Sequence, residues 1–322
     1  MDALSDVLQA IRLSGAVFFD VRAASPWVAE TPRGREIVAG MFPGSDHLIS
    51  YHILIAGDCY AELDGEPPVR LEAGDVIVFP HGDTHVLTSR LGMRKPPDLS
   101  LYRRPSEGHL PFSLSVGAGG AESAQFVCGF LGCDSRPYNP LLGALPRMLR
   151  VKDSNGGAID TLVRFALRES AAPRMGGGAV LGRLSELMFV DVVRRYVESM
   201  PRERTDWLAG LRDPFIGRAL AALHRAPSNP WTLEILAREI GLSRSAFAER
   251  FTQFVGHPPM HYLSNWRMQL AANFLRSGGE GVLAVANRVG YESEAAFSRA
   301  FKKAVGMPPG EWRQHHGGVA AG

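Results

Sequence analysis

The chain has 322 residues, 45% of them apolar and 21% charged, with a formal net charge of +2. At about 150 residues per domain this length predicts two domains. No apolar run approaches the roughly 18 residues that a membrane span needs, and the start lacks a signal peptide, so we expect a cytoplasmic protein without a membrane partner. Three cysteines are too few for a disulfide framework, which agrees with a reducing compartment.

The first half of the chain predicts a small β-structure. Short runs of β-forming residues between positions 47 and 88 are separated by turn signals such as Ala-Gly-Asp, Asp-Gly-Glu and Pro-His-Gly. This spacing is typical of antiparallel strands in a sandwich or barrel. The predicted strands are HLISYHILI, CYAEL, PVRL, DVIVF and THVLT.

One stretch within these strands has a more specific pattern. Gly74 is followed after five residues by Pro80, then by Gly82 after one residue and by His85 after two more. This spacing resembles the second motif of cupins, which are jelly-roll barrels whose histidines often hold a metal. The resemblance implies that His85 points into a barrel.

The first cupin motif is only partly present. His52 matches its first histidine, Asp58 stands where its glutamate would be, and Leu54 replaces its second histidine. Two histidines and one carboxylate can form a facial triad for a divalent metal, so His52, Asp58 and His85 are candidate ligands. Regulators that resemble cupins commonly use the barrel as a small-molecule pocket without a metal, which is the other interpretation.

Two of the three cysteines are close in sequence. Cys128 and Cys133 are spaced C-x4-C on or beside a predicted strand, and Cys59 lies elsewhere. Such a pair is a candidate redox switch or thiolate zinc site, provided that a neighbouring cation lowers the thiol pKa. The more common interpretation is that isolated cysteines are small buried hydrophobic residues.

The middle of the chain predicts helices at 158–170 and 179–200, and a further helix at 214–224 precedes a Pro-rich join. The second helix carries an apolar stripe. This stripe either packs against the barrel or forms a dimer face. Its residues are Leu181, Leu184, Met188 and Val192.

The C-terminal third contains a repeat with a period near 50 residues. Each copy has four apolar residues at i, i+3, i+4 and i+7, then a glycine, then two phenylalanines four residues apart, then Val-Gly and a Pro-Pro pair. The first copy runs from Leu233 through Gly241, Phe247 and Phe251 to Pro259, and the second from Val282 through Gly290, Phe297 and Phe301 to Pro309.

Each copy predicts a helix-turn-helix. Gly241 supplies the left-handed backbone that ends the first helix, and the phenylalanines form the apolar face of the second. The second helix of such a motif enters the DNA major groove. Residues 259–276 predict one helix between the copies, about 27 Å long, which can hold two recognition helices roughly one DNA turn apart.

The charge distribution agrees with a nucleic-acid partner. From Leu211 onward there are 13 basic and 8 acidic residues, a net charge of +5, whereas the first 210 residues carry a net charge of −3. A basic C-terminal part joined to an acidic N-terminal part indicates that the former meets a polyanion.

These C-terminal residues resemble the AraC/XylS family of bacterial transcription regulators. The resemblance is carried by TLEILAREIGLSRSAFAERFTQFVGHPPMHYL and VANRVGYESEAAFSRAFKKAVGMPPGEW, and the N-terminal half resembles the cupin-containing subgroup. It implies binding to double-stranded promoter DNA, contact with RNA polymerase, an unknown small-molecule effector and a homodimer formed by a helix beside the barrel.

We expect DNA contacts from the solvent face of each second helix. Arg299 is expected to pair with guanine, and Glu249 or Glu294 to accept a hydrogen bond from cytosine. Arg244 and Lys302 are better suited to phosphates. The full set of candidates is Arg244, Ser245, Ala248, Glu249, Glu294, Ala295, Ser298, Arg299 and Lys302.

The sequence therefore predicts an α+β protein, with an N-terminal antiparallel jelly-roll barrel and a C-terminal all-α tandem helix-turn-helix domain. The expected limits are 1–155 for the sensor domain, 156–210 for connecting helices and 211–322 for the DNA-binding domain. The predicted function is ligand-responsive transcription regulation without enzymatic activity. The alternatives are a thiol-based redox regulator and a cupin metalloenzyme with a helical appendage.

Overall fold

The computed structural model describes residues 2–103, 111–117, 119–152, 157–172 and 174–316. It divides into two compact units, and each unit combines segments that are distant in sequence. The helical unit comprises Met1–Arg12, Asp134–Ala144 and Met200–Gly322, and the barrel unit comprises Leu13–Cys133 and Leu145–Ser199. The sequence had placed residues 1–12 and 134–144 with the barrel, and its expected boundary at 155/156 lies outside the described residues.

The barrel unit is built on one mixed sheet with helices beside it. The sheet order is β2-β6-β3-β8-β1-β7, with β4 and β5 also paired to β3, and β9 paired to β5. The strands are β1 Ser14–Ala24, β2 Val28–Thr31, β3 His47–Leu63, β4 Val69–Glu72, β5 Asp75–Phe79, β6 His85–Thr88, β7 Phe112–Gly117, β8 Glu122–Cys133 and β9 Leu149–Lys152. The helices of this unit are α2 Gly34–Met41, α4 Ala158–Ala171 and α5 Gly177–Ser199.

The fold class of this unit agrees with the predicted jelly-roll barrel, with two differences in detail. The pairing of β1 with β7 is parallel, so the sheet is not purely antiparallel. The predicted runs HLISYHILI and CYAEL are one strand, β3, because Ala-Gly-Asp continues the strand after an irregularity between Leu54 and Ala56 and does not form a turn. Gly57 has φ +78° there, and a Cβ on it would lie 1.9 Å from the carbonyl oxygen of Ser123. Only glycine can take this position.

The apolar stripe of α5 packs inward within the barrel unit. Leu181, Met188 and Val192 are each no more than 3% exposed. The helix is also fixed by a hydrogen bond of 2.6 Å between the hydroxyls of Ser185 and Tyr51. Of the two interpretations of this stripe, the structure favours packing against the barrel.

The helical unit contains both predicted repeats and two further segments of the chain. Its elements include the predicted helices and several that the sequence pattern had not indicated, among them the first helix and the last. They are α1 Ala3–Ala10, α3 Pro140–Ala144, α6 Trp207–Arg212, α7 Ile216–Arg225, α8 Leu233–Ile240, α9 Arg244–Val255, α10 Pro259–Ser277, α11 Val282–Arg288, α12 Glu294–Val305 and α13 Pro309–His316. None of the helices in the described residues combines the length and apolar composition that a bilayer crossing requires.

Both helix-turn-helix motifs form as the repeat predicted. A serine caps the second helix of each motif, since Ser243 accepts from the Ala246 amide and Ser293 accepts from the Ala296 amide. The apolar faces of α9 and α12 are closed by four phenylalanines with no exposed surface, namely Phe247, Phe251, Phe297 and Phe301. Each buried ring stabilises its motif by about 2–3 kcal/mol through the hydrophobic effect.

The turn glycines of the two motifs provide a matched test of stability. Both have positive φ, +78° at Gly241 and +84° at Gly290. A Cβ at Gly241 meets no described atom within 4 Å, whereas one at Gly290 would lie 2.7 Å from the Ser228 carbonyl oxygen. We expect Gly241→Ala to lower the free energy of unfolding by about 1 kcal/mol, through backbone strain, and Gly290→Ala by about 3 kcal/mol or more.

Urea unfolding followed by tryptophan fluorescence measures this difference. The signal reports mainly on the helical unit, which contains four of the five tryptophans, Trp207, Trp231, Trp266 and Trp312. Equal losses for the two variants would show that the close approach of Ser228 has no energetic weight.

Candidate nucleic-acid interface and barrel interior

The exposed faces of α9 and α12 form the candidate nucleic-acid interface. Within each helix the phenylalanines face the core, so residues at i, i+3, i+4 and i+7 on the opposite face point to solvent. The exposed candidates are Arg244, Ser245, Glu249, Glu294, Ala295, Arg299 and Lys302, and the half-buried ones are Ala248 and Ser298. Each helix therefore presents its predicted contact residues on one side.

The charges on the two faces differ. On α9, Arg244 donates to Glu234 of α8 at 2.9 Å, so part of its charge is neutralised. On α12, Arg299 and Lys302 are joined by exposed Lys303, against one carboxylate from Glu294. The second motif therefore presents the more positive face to a polyanion.

The predicted set omits several exposed residues of these helices, among them Thr252 and Lys303. The 50-residue offset aligns Thr252 with Lys302, and it aligns Gln253 with Lys303. Thr252 and Lys303 are both exposed, in the last turns of α9 and α12. Comparing the two repeat copies position by position would have found Thr252, because its equivalent Lys302 is already in the predicted set.

The barrel interior contains a buried chain of polar groups. The Nε2 atoms of His52 and His85 are 2.7 Å apart, and His52 Nδ1 is 2.9 Å from Cys128 Sγ. His85 Nδ1 lies 2.8 Å from the backbone oxygen of Asp83. All three side chains are at most 6% exposed. These hydrogen bonds therefore connect a thiol through two imidazoles to a backbone carbonyl.

The carbonyl at one end of this hydrogen-bonded row determines which nitrogen of each histidine carries the hydrogen. A carbonyl oxygen only accepts, so His85 Nδ1 carries the hydrogen and His85 Nε2 accepts from the Nε2–H of His52. His52 Nδ1 is then the acceptor for the Cys128 thiol. Burial lowers the pKa of His85 to about 4 and, together with neighbouring His85, holds the pKa of His52 well below its ordinary value. Burial likewise raises the pKa of Cys128, so all three groups are neutral.

Asp58 does not join His52 and His85. The ladder irregularity between Leu54 and Ala56 shifts the side-chain alternation of β3 by one residue, so Cys59 faces the interior and Asp58 faces outward. The Asp58 side chain is 54% exposed and accepts from Arg70 at 3.3 Å. The described residues contain no cluster of three or more potential metal ligands, and the expected triad is not assembled.

Cys128 and Cys133 are also kept apart. Both lie on β8, where they pair with His52 and His47 of β3 respectively. Five residues of extended strand span about 16 Å and place the two side chains on opposite faces. A disulfide requires Cα atoms within about 7 Å, so this pair cannot close one, or share a zinc ion, while the strand is intact.

The barrel unit has little space inside the barrel and more outside it. The interior cavity beside Thr31, His52 and Cys128 has a volume of about 50 Å³. A crevice between β3 and α4 has a volume of about 320 Å³. Its lining combines aliphatic side chains with polar surface, and the ion pair of Asp160 with Arg164 borders it. We call this space the β3–α4 crevice.

Comparisons with known proteins agree with both units. A cupin family model matches residues 2–198, and a helix-turn-helix domain model matches residues 236–315. The chain is 31% identical over 324 residues to an AraC-like transcription regulator of Streptomyces lividans, covering 98% of this chain and 99% of the relative.

One further regulator and one solved DNA-binding domain are also similar to this chain. The HTH-type transcriptional regulator AlkR of Acinetobacter baylyi is 28% identical over 318 residues, covering 98% of this chain and 99% of that protein. The crystal structure of the DNA-binding domain of AdpA with a target DNA is 27% identical, with a TM-score of 0.31, and covers 32% of this chain and 92% of that one.

The neutral histidines predict a pH-dependent stability of the barrel. In the unfolded chain each histidine binds a proton near pH 6.5, whereas in the fold His85 does so only near pH 4. The unfolded state thus binds more protons as the pH falls. We expect each histidine to lower the free energy of unfolding by about 1.4 kcal/mol per pH unit between its unfolded and folded pKa values.

Hydrogen exchange of β3 peptides in urea at pH 7 and pH 5, corrected for intrinsic rates, measures this slope. His85→Phe keeps a ring stacked on Phe79 and should reduce the slope by the share of one histidine. His257→Gln, at an exposed site in the helical unit, is the control and should keep the slope. An unchanged slope in His85→Phe would contradict the assignment.

Proposed function

Because this chain belongs to the AraC-like family of transcription regulators, we propose that it binds promoter DNA through the exposed faces of α9 and α12. The observation that carries this proposal is the pair of capped helices, each closed on its inner side by phenylalanines and open to solvent on its predicted contact side. Helices presented in this way fit the major groove.

The roles of individual residues follow from their chemistry. Arg299 has the planar fork that pairs with guanine, and Glu249 and Glu294 accept from cytosine. Lys302 and Lys303 at the end of α12 contact phosphates, and Arg244 does so once it exchanges Glu234 for DNA. The second motif contributes more of the electrostatic attraction, because its face is more positive.

Regulation of transcription in this family also suggests protein partners. We propose contact with RNA polymerase and a homodimer, both on the basis of the family resemblance. The dimer contact would use the outer side of α5, since its inner stripe is occupied by packing. Val180 and Leu187, seven residues apart on α5, are 36% and 49% exposed.

The barrel unit is the sensor in this proposal, and its ligand binds in the β3–α4 crevice. The interior cavity of about 50 Å³ is far below the roughly 300–1,000 Å³ of ordinary ligand pockets, while the crevice of about 320 Å³ reaches that range. The interior polar groups are already bonded to one another, from Cys128 to Asp83. Of the crevice and the interior cavity, only the crevice therefore has room for a ligand.

The lining of the crevice indicates the class of ligand. Ile53, Ile55, Ile159 and Val163 provide aliphatic walls. At the border, Arg164 Nε lies 3.0 Å and 2.9 Å from the two carboxylate oxygens of Asp160. This pair neutralises itself, and an anionic ligand would have to separate it. An uncharged, mainly aliphatic molecule with one polar end fits best.

The DNA-reading role of Arg299 is tested by selection of binding sites from a random duplex library. We expect Arg299→Ala to lose preference for guanine at one position and to bind the selected site about 5- to 150-fold more weakly. Lys302→Ala should weaken binding to all sequences and reduce the salt slope by about one. Arg225→Ala, an exposed arginine on α7, is the control and should change neither quantity.

If Arg299→Ala retains the wild-type sequence preference, the assignment of this residue to base reading is wrong. If the full chain shows no salt-dependent binding to any duplex at low salt, the DNA-binding proposal itself fails.

The crevice is tested by calorimetric titration of the full chain with 1-decanol and with decanoate. We expect decanol to bind about two- to fivefold more tightly, because decanoate must disrupt the partly exposed Asp160–Arg164 pair. Ala73→Trp fills the crevice from an exposed turn and should abolish binding, whereas Ala121→Trp, on another exposed turn, should not. Equal binding to wild type and Ala73→Trp would place the ligand elsewhere.

A further inference from the structure

The helix that joins the two motifs, α10, carries a row of polar side chains that bind two distant segments of the chain. Gln269, Asn273 and Arg276 follow one another at i, i+4 and i+7 and therefore share one face. Their partners belong to residues 1–12 and 134–144, which we call the anchor segments. Every contact of this row lies within the helical unit.

Gln269 is at the centre of the row. Its side chain has no exposed surface, and its amide is bonded at both ends. Nε2 donates to the Ala10 carbonyl at 3.0 Å, and Oε1 accepts from the Tyr138 amide at 2.9 Å. Asn273 donates to the same Ala10 oxygen at 2.7 Å. One side chain thus holds the end of α1 and the middle of the 134–144 segment together.

Arg276 extends the same contact to the C-terminal end of α10. Its guanidinium donates to Asp134 at 2.5 Å, with only 10% and 3% of the two side chains exposed. The guanidinium also lies 5.5 Å from the ring centre of Trp312, which belongs to the core of the second motif. The ion pair therefore joins an anchor segment to that core.

Near its N-terminal end, α10 contacts the first motif through Tyr262. Tyr262 forms hydrogen bonds with Trp207 at 3.0 Å and with His224 at 2.7 Å, and its ring lies 5.7 Å from that of Tyr138. Phe251 of the recognition helix α9 packs edge-on against the same Tyr262 ring. The anchor segments thus touch groups that support both recognition helices.

Both anchor segments continue directly into the sheet of the barrel unit. The first ends at Arg12, two residues before β1 begins, and the second starts at Asp134, immediately after β8 ends. These two strands are hydrogen-bonded neighbours, with Ser14 paired to Gly132. Just beyond the strands, the Asp134 amide donates to the Ile11 carbonyl at 2.8 Å. Strands β1 and β8 are therefore each joined, through one anchor segment, to residues that α10 binds.

We propose that Gln269 and the Asp134–Arg276 pair are positioning residues that couple the β1–β8 strand pair of the sensor to the DNA-reading helices. This inference rests on the proposed function. A change in the pairing of β1 with β8 moves two covalently attached segments that α10 holds by buried bonds. Because coupling between two sites is reciprocal, DNA bound to α9 and α12 must also alter the stability of β1 and β8.

Hydrogen exchange of the full chain with and without bound duplex DNA tests this coupling without requiring a known effector. We expect bound DNA to slow exchange in peptides from β1 and β8 by about fivefold or more. Peptides from β6, which pairs with neither strand, should not change. In Gln269→Met, which removes both amide bonds at similar volume, the effect of a saturating concentration of DNA on β1 and β8 should disappear.

A second variant keeps the coupling testable if Gln269→Met does not fold. Asp134→Asn keeps the shape of the side chain but removes the charge opposite Arg276, and it should reduce the DNA effect on β1 and β8. Glu280→Gln, which breaks the exposed Arg288–Glu280 pair of the same unit, is the matched control and should leave it intact. The coupling would be overturned if the wild-type protein binds DNA without slower exchange in β1 and β8. It would also be overturned if the two variants keep the slower exchange. Absence of DNA binding would overturn the proposed function instead.

Discussion

The buried amide of Gln269 is the constraint on which the organisation of the helical unit depends. An amide with no exposed surface must have both its donor and its acceptor bonded, since an unsatisfied buried group costs about 1–3 kcal/mol. The partners of Gln269 come from two chain segments more than a hundred residues away, at Ala10 and Tyr138. The helix between the two motifs is therefore part of a core built from three segments of the chain.

A different constraint governs the barrel unit, where the cost of burying a charge keeps the interior histidines and cysteine neutral. Two imidazoles and a thiol in contact inside a barrel suggest a metal or redox centre when they are considered as residue types. Burial instead keeps them neutral, and they satisfy one another in a directional chain that ends on the Asp83 carbonyl. These bonded groups and the surrounding aromatic side chains fill the interior, so the β3–α4 crevice is larger than the cavity inside the barrel.

The two helix-turn-helix motifs share a plan but differ in their surroundings. Their phenylalanines, serine caps and turn glycines are equivalent. However, Gly290 is packed against Ser228 and Gly241 is not, and α12 carries more positive charge on its exposed face than α9. A repeat of this kind preserves the framework of each motif while allowing the packing and surface charge of the two copies to differ.

The repeat, the limits of most helices of the DNA-binding domain, the β-structure between positions 47 and 88 and the family could all be predicted from the sequence. These features depend on local periodicity and on glycine and serine at helix ends, which act over a few residues. That Asp58 faces outward and that Cys128 and Cys133 are apart follows from the fold alone, because a motif shows neither a one-residue irregularity in a ladder nor the length of a strand. The tertiary structure also decided that residues 1–12 and 134–144 pack with α10. Their partners, Gln269 and Arg276, are polar side chains on a helix, and only the fold shows that they are buried.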